Sequence, residues 1–339
     1  MYYANVKLDI FKVESSFFKL NQSTPSALYR TKEWLVDSQQ RLGDIPVYIE
    51  LFYNKKPIAL FPVIIFNKQS DYPPVDPHRI INEALGIKTN KPIAYCATLF
   101  GLGCPILFNK KEHDWDSIIS ILKALLKEKF NCENLVFGYF FENDDPFKGY
   151  TFNKNYVTIK SHKLLGILNT GKFTSFENYK KSLSKNTRKS YNSETNTFIK
   201  NKLYVKNLPI KEYDLDLIGK MSSNVFAKYG AKVDPSKISN FAKHISDKFP
   251  NNSGIISCWK DKNIISYVLY IKYNKILYAH TFGRNYELDK YKSYFLVAYH
   301  ALIKYAIETG MEYINYGGGA SWTKKRRGVS IIQTYSYVC

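Results

Sequence analysis

The chain alternates between apolar runs and polar breaks whose spacing predicts its elements. From Ile45 it reads IPVYIELFYNKKPIALFPVIIFNK, two β-branched and aromatic runs around Asn54-Lys55-Lys56-Pro57, which predicts a hairpin. YCATLFGLGCPILFN (95–109) predicts two short strands around Gly101 and Gly103. Apolar residues at 115, 118, 119, 122, 125 and 126 have helical spacing, and NLVFGYFFE (134–142) reads as a buried strand ended by a turn at 143–146.

The segment 174–201 differs in character. Thr174 and Glu177 have capping-box spacing, and a run dense in cations follows, predicting one basic helix that joins two halves. The second half repeats the pattern of the first. Helices are expected over 213–228 and 236–248, then three strands over 253–283 divided at 260–263 and 273–275. Tyr294, Val297, Ala298, Ala301, Leu302 and Tyr305 fall on one helix face, with Gly310 as its cap. MEYINY and residues 330–337 give the last strands. This order predicts a mixed α/β (α+β) fold and argues against a doubly wound parallel sheet and an all-β sandwich. The boundaries drawn are 1–172, a linking helix at 173–202, and 203–339.

Charge changes the picture. Lys+Arg number 49 against 29 Asp+Glu, a formal excess of +20, and only seven of the cations are arginine. A surplus of this size favours a polyanionic partner: nucleic acid, an anionic membrane surface or a phosphate-rich ligand. The N-terminus lacks a signal-peptide pattern, and the longest apolar runs, such as FPVIIF (61–66), are too short to span a bilayer. Five scattered cysteines and six dispersed histidines show no metal-ligand spacing, so no metal is expected. The reading is a reduced, soluble, cytoplasmic protein.

Candidate chemistry gathers at two places. Tyr316-Gly317-Gly318-Gly319 follows an apolar strand and precedes Lys324-Lys325-Arg326-Arg327-Gly328. Neither a dinucleotide fingerprint nor a Walker loop fits, because the residues after the glycines do not look like a Rossmann helix, no acidic residue stands about 20 residues on, and the GxxxxGK[ST] spacing is absent. What remains is a glycine segment able to hold an anion or oxyanion beside clustered cations. Upstream, Lys181, Lys185 and Arg188 fall at i, i+4 and i+7, with Lys189 beside them and Tyr179 and Tyr191 flanking, a face suited to phosphates. His280, in the strand ILYAHTFG, is a general base only where it opens into a cleft.

Together these segments carry a resemblance. FENYKKSLSKNTRKSYNSETNTF (176–198) resembles the helix entry of the FemAB/CelD-like branch of the GNAT acyltransferase superfamily. The strand, glycine turn and Lys-x-x-Arg-Gly at 313–328 resemble that branch's second hallmark. The resemblance implies two GNAT-like domains, each a mostly antiparallel sheet flanked by helices, and an amide-forming acyl or aminoacyl transfer. It implies that Lys324 binds a phosphate or oxyanion and that Arg188 holds a phosphate. Arg327 and His280 join Lys324 as catalytic candidates, and Lys185, Lys189, Tyr316, Gly317, Gly318, Gly319 and Trp322 join Arg188 in substrate binding. The RxxGxG/A pyrophosphate signature of coenzyme A-dependent members is missing ahead of 291–309. The implied donor is therefore aminoacyl-tRNA, with acyl-CoA as the alternative and no tightly bound cofactor. The acceptor is an amine on a cell-wall precursor, sugar, peptide or small metabolite. Outside enzymes, the charge also fits a non-catalytic nucleic-acid-binding protein.

Overall fold

The computed structural model describes the chain apart from residues 21–23, 42–44, 70–75, 99–100, 110–112, 153–155 and 229. Two compact units form, Met1–Leu164 with Ile332–Cys339, and Leu165–Ile331. These limits differ from the sequence boundaries. The basic segment of 173–202 lies within the second unit, and most of the last strand belongs to the first.

In the first unit, β1 (Tyr2–Lys7), β2 (Ile45–Tyr53), β3 (Lys56–Phe66), β4 (Ile93–Ala97), β6 (Asn134–Phe141) and β13 (Ser330–Val338) lie side by side in that order. A short β5 (Leu107–Phe108) pairs with β3. Neighbours are antiparallel except β4 and β6, which are parallel. The hairpin turns at Asn54 and Lys55, both at positive φ (47° and 65°), the geometry of a tight two-residue turn. A helix over Trp115–Phe130, capped by the Asp114 side chain, buries Ile118, Ile119, Leu122 and Leu126. They meet Val47, Ile49, Phe137 and Phe140 in the unit's core.

The second unit repeats the plan. In order stand β8 (Tyr204–Leu208), β9 (Ser253–Lys260), β10 (Asn263–Tyr273), β11 (Ile276–Arg284), β12 (Tyr313–Asn315) and the Leu165–Asn169 end of β7 (Val157–Asn169). Again every neighbouring pair is antiparallel except one, β11 with β12. The expected mixed, mostly antiparallel sheet flanked by helices is what forms.

Two local expectations change. The basic helix is two helices, α1 (Phe176–Ser182) and α2 (Lys185–Lys200). Leu183 and Ser184 are extended between them, because the Ser184 side chain accepts from Thr187 N and starts a new helix. Lys181 therefore shares no helix face with Lys185 and Arg188. The cap of α1 is Ser175, accepting from Asn178 N at 3.1 Å, where Thr174 was expected. The helix read over 291–309 begins as a single turn at Ser293–Phe295, widens to a π-helical stretch at Leu296–Ala301 and returns to α geometry over Leu302–Glu308. Such widened stretches concentrate at functional sites.

Among the described residues, no helix is long and apolar enough to cross a membrane. No three His, Cys, Asp or Glu side chains there converge as metal ligands.

Candidate active site

The site grows from the parallel pair β11 and β12. They pair over three residues only, from Ile276↔Tyr313 to Tyr278↔Asn315. β12 then ends in the glycines while β11 runs on to Arg284. His280 is the extra residue where the β10–β11 register shifts, a bulge on β11. Its ring lies 4.6 Å from Phe241 of the 235–248 helix, and it does not line the cavity described below.

The glycine turn is held from inside. Asn315 Oδ1 accepts Gly317 N at 2.8 Å, and Gly317 and Gly319 have φ of 61° and 72°, values that a side chain strains. A short helix, α3 (Ser321–Arg326), follows. From it Lys324, only 3% exposed, turns back and donates to the carbonyls of Tyr316 (2.9 Å), Gly317 (3.0 Å) and Gly318 (2.6 Å). Its three ammonium donors match these three acceptors. Burial pushes Lys324 down to about 7, while the carbonyls favour its charged form. Gly166 of β7 exchanges backbone bonds with Tyr316 and Gly317, and a Cβ there would stand 2.9 Å from Lys324 Cδ. The Gly318 and Gly319 N–H groups have no hydrogen-bond partner among the described residues.

Beside this turn lies a cavity of about 570 Å³, within the second unit. Its floor is an ion pair: both terminal nitrogens of Arg327 engage both oxygens of Glu194 on α2. Arg327 is also stacked, 4.4 Å from the Tyr191 ring, 4.9 Å from Phe295 and 5.5 Å from Tyr299. His300, from the π-helical stretch, meets Glu194 Oε2 at 2.9 Å. Burial alone would raise Glu194, but the bonds from His300 and Arg327 outweigh it and hold the carboxyl below its ordinary value. Burial pushes His300 down, against the opposing pull of the Glu194 carboxylate. The backbone of 326–327 is pinned from α1 and α2: Tyr179 Oη donates to Arg327 O at 2.7 Å and Thr187 Oγ1 to Arg326 O at 3.1 Å. The rim carries Lys189, Lys290, Lys292 and Arg326, with Trp322 70% exposed and Arg326 over its ring.

The structure thus brings Lys189, Trp322 and Arg327 to one cavity, with Tyr316, the glycines and Lys324 in the adjoining turn. Arg188 lies elsewhere, donating to the carbonyls of Lys181 and Leu183 where α1 ends, and Lys185 is exposed. Sequence reasoning missed Glu194, His300 and Gly166. Glu194 carried a signal: in an otherwise cationic helix it stands three residues after Tyr191, on the same side.

One more loop bears on the donor. Asn285 Oδ1 accepts the N–H groups of Glu287 and Leu288, and Asp289 Oδ1 those of Tyr291 and Ser293. Asp289 is buried and paired with Arg284. A protein carboxylate therefore already sits at the start of the helix that begins at Ser293.

Two repeated units, each a mostly antiparallel sheet with one parallel pair, make this a tandem GNAT-like acyltransferase fold. A model of the FemAB-like family, described as peptidoglycan biosynthesis/recognition, matches residues 107–339, and the chain belongs to that family, whose fold and chemistry make it an acyltransferase. A crystal structure of FemX is similar at 12% identity, with a TM-score of 0.61 over 95% of this chain and 94% of that one. A tandem GNAT protein from the clavulanic acid biosynthesis pathway gives 7% identity and 0.55 over 100% and 98%. L-PGS from Bacillus licheniformis gives 10% and 0.54 over 95% and 89%. At these identities the likeness is one of fold. A search of curated proteins finds no match.

Proposed function

We propose that the protein transfers an aminoacyl group from aminoacyl-tRNA to an amine, in the cavity floored by Arg327 and Glu194. The observation that carries this reading is the loop 285–293. The amides that a coenzyme A pyrophosphate would occupy ahead of the helix are already bonded to Asn285 and to Asp289, itself paired with Arg284. Cations stand instead around the cavity mouth, at Lys189, Lys290, Lys292 and Arg326. In the reaction the acceptor nitrogen attacks the aminoacyl ester carbonyl. The C–N bond forms, the ester C–O bond breaks, and the proton lost by nitrogen ends on the released ribose hydroxyl. The cavity positions the two partners, and an ester carbonyl reaching from it into the adjoining turn would meet the unbonded Gly318 and Gly319 N–H groups. The acceptor amine belongs to a cell-wall precursor, an amino sugar, a peptide or a small metabolite.

The test is a transfer assay with labelled aminoacyl-tRNA and, separately, labelled acyl-CoA, against a panel of these amines. Label should pass from charged tRNA and the transfer should stop after ribonuclease treatment. Transfer from acyl-CoA that ignores ribonuclease would overturn the donor assignment. At the rim, Trp322→Ala should change unfolding free energy by less than about 0.5 kcal/mol, since the ring is 70% exposed. It should raise KM for the donor roughly tenfold, the scale of one lost base–aromatic contact. Denaturant unfolding and steady-state kinetics on the same preparation check both.

A further inference from the structure

Away from the cavity, on the edge of the second sheet, lies an aromatic and cationic patch that the transfer chemistry does not use. β8 is the edge strand, and Tyr204, Val205, Lys206 and Asn207 are all exposed. Tyr204 stands directly across from Trp259 of β9. Their rings are within 16° of parallel, with centroids 6.4 Å apart. The polar edge of each ring is tied down: Tyr204 Oη donates to Asp261 O at 2.6 Å, and Trp259 Nε1 to Ser257 Oγ at 2.7 Å. The π faces are thereby held in place. Lys206 Nζ lies 4.4 Å from the Trp259 centroid and 5.8 Å from that of Tyr204, marking those faces as electrostatically negative.

The surroundings are basic. Lys200, Lys202 and Lys262 are exposed nearby along the chain, and Asp261 is the carboxylate among them. The patch and the cavity lie on opposite faces of the sheet, linked at the end of β9. Lys260, the next residue of β9, points to the other sheet face, where its Nζ bonds Tyr291 Oη and lies 4.5 Å from that ring, and Tyr291 lines the cavity. A strand passing from the patch to the cavity therefore rounds the end of β9 at Lys260.

Fixed aromatic faces interleaved with flexible cations are the chemistry of single-stranded nucleic-acid binding, in which bases stack and phosphates are neutralised. A lipid surface would call for an apolar patch, whereas both ring edges here are hydrogen-bonded and the exposed Val205 lies on the opposite face of its strand. We infer that Tyr204, Trp259 and Lys206 form a stacking subsite for a single-stranded segment of an RNA donor whose end reaches the cavity past Lys260 and Tyr291. This inference rests on the aminoacyl-tRNA reading. Lys206, on its long stem, leaves the ring face for a phosphate as a base takes its place.

The test is fluorescence anisotropy with a labelled single-stranded RNA of about ten nucleotides, within the usual site size, at several salt concentrations. Tyr204→Ala/Trp259→Ala should bind at least about tenfold more weakly, while Trp259→Phe, which keeps a ring, should bind nearly as the parent does. Lys206→Gln should reduce the slope of log K against log salt by roughly 0.7, one phosphate contact on a single strand. Undiminished binding by the double alanine variant, with an unchanged melting curve, would overturn the subsite. So would sedimentation with phosphatidylglycerol vesicles that needs Tyr204 and Trp259 when RNA binding does not. The transfer assay separates this inference from its premise. Transfer from charged tRNA at unchanged KM in the double variant removes the subsite alone, and no such transfer by the parent protein removes the donor reading.

Discussion

Arg327→Met should cost the second unit about 3–5 kcal/mol of unfolding free energy, the penalty for stranding one member of a buried ion pair. Glu194 is left with His300 alone, in surroundings that burial makes hostile to a carboxylate. The guanidinium also fills the space among Tyr191, Phe295 and Tyr299, which methionine fills only in part. Removing both charges is the informative control. Arg327→Met/Glu194→Met should recover much of the stability, because no charge is left buried without a partner. Transfer activity should stay lost in both variants if the ion pair shapes the cavity floor for substrate. Urea unfolding measures the first effect and the transfer assay the second. A double variant as unstable as the single one would show that packing, not charge, is what Arg327 supplies.

Lys324→Met should be comparably severe. It removes three donors at once from the carbonyls of Tyr316, Gly317 and Gly318; Gly317 O keeps its bond from Gly166 N, and an unsatisfied buried acceptor costs about 1–3 kcal/mol. Solvent reaching the half-exposed Gly317 and exposed Gly318 relieves part of this, so a total near 3 kcal/mol is expected. The same lysine should leave a mark on pH dependence. Its folded pKa, about 7, lies below the ~10.4 of an unfolded lysine. Between those values the unfolded chain holds more protons, so stability rises with pH. The stability gap between the parent protein and Lys324→Met should therefore widen from about pH 7 to about pH 9, with a slope of at most ~1.4 kcal/mol per pH unit. A gap that stays constant would mean that the three carbonyls keep Lys324 charged throughout.

Much of this architecture was legible because its signals are local. Alternation and turn residues gave the β2–β3 hairpin and the β9–β10–β11 meander, and helical spacing gave 115–130. The break at Leu183–Ser184 was hidden because Ser184 can cap a helix or sit inside one, and only tertiary contacts decide between these. At the site, cation clustering singled out the segments around 185–189 and 324–327 but gave no side chain its partner. Lys324 looks like a surface charge in sequence, yet it is buried on carbonyls that the glycine turn presents. Arg188 looks like a phosphate ligand, yet it caps α1. Pairings across a hundred residues, such as Glu194 with Arg327 and His300, leave no periodic trace in a single chain.

The strand order carries a consequence for synthesis. β13 completes the first sheet beside β6, and Tyr337 and Cys339 belong to the first unit's core. A ribosome therefore delivers every residue of Leu165–Ile331 before the strand that closes Met1–Leu164. A nascent chain stopped short of Ile332 can finish its later-made unit first, while the earlier one waits with β6 as an open edge. Unpaired edges recruit other strands. Of the two units, the earlier-made one is thus the one that stays open longer.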